Sequence, residues 1–208
     1  RRWRGPGDAL VLPDGTRVLE APHLALRLPS GRWLDGEEPF RGCTTERWGT
    51  QAALLCHDGE VRVVTAGDEH VRATPVGRAP PRRTVLSDDG RHAAVWNVRE
   101  GELPGCVAGG VCLLDVRAGE GIPIRSLPRG GAGQVHVHGT EIVARFRDLW
   151  FRATAERRRM QPLPGEMRSV DQTFFTPDGT LWGIVRTPEP GVRLDEQRVE
   201  RLLVRTED

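Results

Sequence analysis

The chain has 208 residues, enough for one domain with a substantial core, and its 30 basic and 29 acidic residues leave a formal net charge of +1. That balance supplies no field for nucleic acid or an anionic membrane, and no stretch approaches the ~20 consecutive apolar residues of a membrane-spanning helix. Every one of those basic residues is arginine, tyrosine is absent and Asn97 is the only asparagine. Such a bias reflects a GC-rich coding sequence, so the run Arg157-Arg158-Arg159 reads as a solvated strand or loop rather than a nucleic-acid signal.

Taken in order, the predicted elements repeat one pattern five times, over residues 8–41, 42–79, 80–130, 131–164 and 165–208. A short apolar strand runs into a turn pair, Asp14-Gly15, Asp58-Gly59, Asp89-Gly90, His138-Gly139 or Asp178-Gly179, whose second residue tolerates positive φ. A second apolar strand follows, then a strand ending at Arg27, Arg72, Arg117, Arg152 or Arg205. The turn glycines recur about every 41 residues, the signature of a repeat architecture. Residues 35–48 are expected to form the longest irregular connector, and Pro80-Pro81 a stiff exit from the second unit. In the third unit, residues 99–111 are an insert between the second and third strands. RGGAG at 129–133 is a flexible turn and not a phosphate loop, because no helical pattern follows it and the chain has no lysine. In the fourth unit, FRDLWFRATAERRRM has helical spacing at Phe146, Leu149, Trp150 and Ala153, but alignment with the second unit favours strand, turn, strand. Period-2 alternation with 25 Gly and 16 Pro points to an all-β fold. GRW at 31–33 and RRM at 158–160 read as fourth, outer strands. The kindred RRW of segment 1–7 is therefore expected to supply that strand to the last unit, closing first onto last and removing exposed edges.

The succession of strand, Asp-Gly turn, apolar strand, loop and a strand of the kind LLDVRAGEG (113–121) resembles the blades of bacterial β-propellers of the TolB-like and WD-repeat-like sort, although the Gly-His and Trp-Asp dipeptides of WD repeats are missing. The resemblance implies a five-bladed β-propeller of ~41-residue, four-stranded blades.

Four cysteines permit three pairings. The Gly-Gly bend between Cys106 and Cys112 can bring their Cα atoms within bonding reach, which leaves Cys43 for Cys56. Disulfides are the favoured reading over buried free thiols, and neither spacing is that of a zinc or redox motif. Disulfides imply an oxidising compartment. A periplasmic or extracellular protein is expected, its upstream signal or anchor removed, because the chain begins at Arg1 rather than Met.

Long loops on a rigid scaffold concentrate binding sites. The expected binding rim comprises Arg47, Trp48, Glu100, Glu102, Glu189, Arg193, Asp195 and Glu196, with Trp48 as its exposed anchor. His136 and His138 lie on one strand face and read as structural or channel-lining, since no spacing supplies a third metal ligand. The inner strands, taken as ALVLP, AALLC, RTVLS, QVHV and QTFFT, are apolar, and Asp171 is the sole acid beside them, which argues against a hydrolase. The recurring arginines are expected to brace neighbouring units by pairing with Asp14, Asp58, Asp89 and Asp178. The reading is a non-enzymatic protein-binding or scaffold subunit of a larger assembly, without cofactor, metal or catalytic residues. A lectin-like or small-ligand propeller is the alternative and a hydrolase the third.

Overall fold

The computed structural model describes residues 10–19, 24–36, 42–81, 83–125, 127–128, 131–186 and 199–204. The chain divides into two compact units, residues 1–93 with 114–120, and residues 94–113 with 121–208.

The first unit is built on an eight-stranded sheet made of two antiparallel meanders. The first is β1 (Leu10–Val11), β2 (Arg17–Leu19), β3 (Ala25–Arg27) and β4 (Trp33–Gly36); the second is β5 (Cys43–Trp48), β6 (Gln51–Cys56), β7 (Glu60–Ala66) and β8 (His70–Arg78). They join through a short parallel pairing of their last strands, Asp35 opposite His70 and Gly36 opposite Val71. Val18, Leu24, Leu26 and Leu34 of the first meander pack with Ala52, Leu54, Val64 and Val71 of the second in one core. β6 is buried from Ala52 to Cys56. A strand covered on both faces loses its period-2 alternation, and that is why AALLC reads as a continuous apolar run.

β9 (Thr84–Leu86), β10 (His92–Trp96), β11 (Val111–Asp115) and β12 (Glu120–Ile124) form a separate antiparallel sheet, and its residues fall in both units. The second unit also holds a four-stranded meander of β13 (Ala132–His138), β14 (Glu141–Phe146), β15 (Leu149–Thr154) and β16 (Gln161–Pro162). A 3-10 helix over Gly165–Ser169 leads into β17 (Gln172–Phe175), β18 (Leu181–Arg186) and β19 (Val199–Val204). Trp150, fully buried on β15, centres the core with Val143, Leu163, Met167, Val170 and Leu181. Its indole Nε1 donates to the Val170 carbonyl at 2.9 Å, which satisfies the one polar atom its burial removes from water. Gly183 makes the packing possible, because a methyl there would stand 2.8 Å from both Met167 Sδ and Val170 Cγ1. The segment from 141 to 154 is strand, turn, strand, with Arg147 at φ 56° in the turn.

Three expectations are corrected. Residues 43–48 are a strand and not part of an irregular connector, since Cys43 through Trp48 pair in register with Cys56 through Gln51. The second meander is therefore one strand out of phase with the repeat as read: Asp58-Gly59 joins its second and third strands, and the turn between its first two is at Gly49, φ 66°. AALLC is thus a second strand and not an inner one. Among the described residues, the aspartate-arginine braces do not form either. Asp14 accepts from the Thr16 amide and hydroxyl, both at 2.9 Å, and Asp178 from the Thr180 amide at 3.1 Å and the Thr176 hydroxyl at 2.6 Å. Asp58 accepts from the Glu60 amide, and Asp89 from the amides of Arg91 and His92. These carboxylates cap their own turns. Arg27 and Arg117 instead lie over the rings of Trp33 and Trp48, each 5.8 Å from the centroid. Segment 1–7 and Arg205 lie outside the described residues.

Candidate functional site

Between β10 and β11 the chain makes three β-turns in direct succession. The amide of Glu102 donates to the Arg99 carbonyl (3.1 Å), that of Cys106 to Leu103 (3.2 Å) and that of Gly110 to Val107 (3.0 Å). Gly101, Gly105 and Gly109 occupy the third position of each turn at φ 71°, 78° and 72°. Positive φ at that position alone defines a type II turn, and Pro104 sits at the second position, where its fixed φ fits.

The loop is tied down at both ends. Gly109 N donates to Val98 O at 2.7 Å and Arg99 N to the Glu102 carboxylate at 2.7 Å. The disulfide Cys106–Cys112 joins the second turn to β11. Gly121 of β12 donates its amide to Pro104 O at 3.0 Å and lies so close to the disulfide that a methyl there would overlap Cys106 Sγ and stand 2.6 Å from Cys112 Sγ. Outward face Glu100, Pro104, Ala108 and Val107, the last 61% exposed and a rare large apolar side chain in water. The arrangement is a stiff, shaped protrusion with an apolar tip and an acidic flank.

Of the expected rim, Glu100 is exposed on this loop, and Glu102 is half-buried as its internal cap. Glu189, Arg193, Asp195 and Glu196 lie outside the described residues. Arg47 is exposed on β5, its Nε donating to Gly49 O at 3.1 Å. Trp48 is not an exposed anchor. It is 1% exposed, donates its indole N–H to His92 O at 3.3 Å and carries the Arg117 guanidinium over its ring. Ending a paired strand turns its side chain into the core, and the Gly49 beside it packs on another hairpin turn, a methyl there standing 3.1 Å from Gly90 N.

The histidines of β13 serve packing. His136 stacks on Trp150 with centroids 5.7 Å apart, and burial holds its pKa below the ordinary imidazole value. His138 stacks on Phe175 at 5.5 Å, and Gly179 admits its ring. Asp171 is a structural acceptor, receiving the Arg186 amide at 2.6 Å on its carboxylate and Arg145 Nη1 at 3.1 Å on its carbonyl. Among the described residues, no group of three or more His, Cys, Asp or Glu side chains could hold a metal ion. The Asp89–His92 contact (2.5 Å) closes a hairpin turn, and Ser87 beside it is completely buried, so the three do not present a nucleophile. Glu46, expected among the charged residues of the loop rim, instead sits half-buried on β5, where its carboxylate accepts from the Leu86 amide at 3.3 Å and burial raises its pKa.

No family model matches the chain, and no curated protein sequence matches it. Among solved structures it is similar to TolB from Acinetobacter baumannii (TM-score 0.51, 9% identity, 92% of this chain and 48% of that one). It is also similar to a puromycin hydrolase (0.47, 18%, 88% and 34%) and to the Dos1 propeller (0.46, 6%, 86% and 52%). The chain thus spans about a third to a half of the length of these structures. At such identity the likeness to TolB speaks to fold alone: the chain has an all-β fold of the β-propeller type.

Proposed function

We propose that the chain is a non-enzymatic protein-binding module that presents the 97–110 loop to a partner, as a scaffold subunit of a larger assembly outside the cytoplasm. One observation carries the reading, the three linked turns stapled by Cys106–Cys112 with Val107 exposed at their tip. A loop already held in one conformation loses little entropy on binding, so its contacts convert efficiently into affinity. An exposed apolar residue on such a support has the character of an interface anchor. Five successive meanders, the last described over three strands, support five blades, and we extend this to closure of the last blade by residues 1–7. The two disulfides fit an oxidising compartment.

The test is affinity purification of the full-length protein from its native source without reductant, alongside Val107→Asp. A stoichiometric partner retained by the wild type and depleted about tenfold by the variant, the expected effect of losing one buried apolar contact, supports the reading. Equal recovery, or no partner, overturns it.

A further inference from the structure

The triple-arginine run is held in a fixed place by the backbone. Arg158 N donates to Thr154 O at 2.8 Å, closing a turn after β15 in which Arg158 adopts φ 49°. Arg125, just beyond β12, donates its amide to Arg158 O at 2.8 Å and accepts from Met160 N at 3.0 Å, while Met160 is buried. Arg125 and Arg159 thereby lie side by side in a parallel bridge. With Arg152 from β15, five guanidinium groups line two open depressions that share Arg157 and Arg159, of about 370 and 380 Å³.

Among the described residues, only Glu141 and Glu156 oppose them in the lining. Glu156 is engaged by the Thr154 hydroxyl, which holds its carboxyl below the ordinary range. Arg157 Nη1 donates to Gln161 Oε1 (3.3 Å) and Arg158 Nε to Ala155 O (3.2 Å). Among the described residues, none of the five arginines forms an ion pair. The groove is a local excess of positive charge on a chain whose net charge is +1.

We propose that this groove binds an acidic, Asp/Glu-rich segment of a partner protein. Guanidinium groups take carboxylates in paired hydrogen bonds, and a groove of this volume accommodates a few side chains rather than a duplex. The two glutamates in the lining break up the positive surface, which suits separated carboxylates better than a continuous phosphate backbone. The near-neutral chain also lacks the long-range field that draws nucleic acid. The site is separate from the 97–110 loop and does not rest on the reading of that loop.

The full chain is titrated, by fluorescence anisotropy, with a short labelled peptide of alternating Asp and Ser, its Asn counterpart and an oligothymidylate of equal charge. The Asp peptide is expected to bind, to weaken with added salt and to lose about tenfold in affinity in Arg157→Gln/Arg159→Gln, which removes two exposed charges. Arg168→Gln, an exposed arginine outside the groove, and Val107→Asp should leave it unchanged, which keeps failure here distinct from failure at the loop. Both arginines are exposed, so the double variant should keep the wild-type melting curve. No binding of the Asp peptide, equal binding by the double variant, or tighter binding of the oligothymidylate overturns the proposal.

Discussion

Gly121 shows how one missing methyl group shapes the candidate site. Its open Cα is what lets the Cys106–Cys112 disulfide lie flat on β12. Gly121→Ala is expected to cost about 1–3 kcal/mol by overpacking, measured by urea unfolding, and to relax toward the double Cys→Ser background when the disulfide is also removed. His136 makes a prediction with a sign. Because burial depresses its folded-state pKa, the unfolded chain takes up a proton below about 6.5 that the folded chain refuses. Its share of stability is complete above that pH and is lost as the pH falls toward the depressed value. The slope of melting temperature against pH just below 6.5 should flatten in His136→Phe, and an unchanged slope would refute the assignment. Individual residues were the hardest scale to read in the sequence. Trp48 looked like an exposed anchor because it stood in an apparent connector, and only pairing with Gln51 buries it.

At the scale of elements, the turns carry their own instructions. Asp14, Asp89 and Asp178 have folded pKa values below the ordinary 3.8; the turn hydrogen bonds lower all three, and at Asp89, where burial pulls upward, His92 and the backbone amides outweigh it. Their contribution is present above the ordinary carboxylate range and disappears as the pH falls through the lowered values. Asp178→Ala should therefore destabilise the β17–β18 hairpin at neutral pH and reduce the steepness of acid unfolding. The Asp-Gly signal was legible and located three hairpins correctly, but in the second meander it marks a different turn. Asp58-Gly59 is a good turn wherever it falls, and nothing local says which pair of strands it joins. The 97–110 loop was also half legible: Gly101, Gly105 and Gly109 at four-residue spacing, with Pro before one of them, spell three type II turns, a periodicity outside helix and strand templates.

Over the whole molecule, apolar runs punctuated by Gly and Pro were enough for the all-β class, because central strands buried on both faces must be apolar throughout. How the strands group was less legible, since the parallel pairing of β4 with β8 depends on two residue pairs far apart in sequence. Removing either disulfide by paired Cys→Ser substitution should lower stability by about 2–3 kcal/mol, from the short loops they close, as read by chemical denaturation with and without reductant. Equal stability in all forms would show that the sheets alone hold the fold.

The two disulfides span only 13 and 6 residues, and each joins cysteines that are consecutive in the sequence. Of these four cysteines, Cys43 and Cys56 meet before the members of the other pair are available as the chain is synthesised. Once joined they leave Cys106 for Cys112, so oxidation in order of emergence pairs all four natively. Slow vectorial oxidation of this chain should therefore outperform refolding of its fully reduced form.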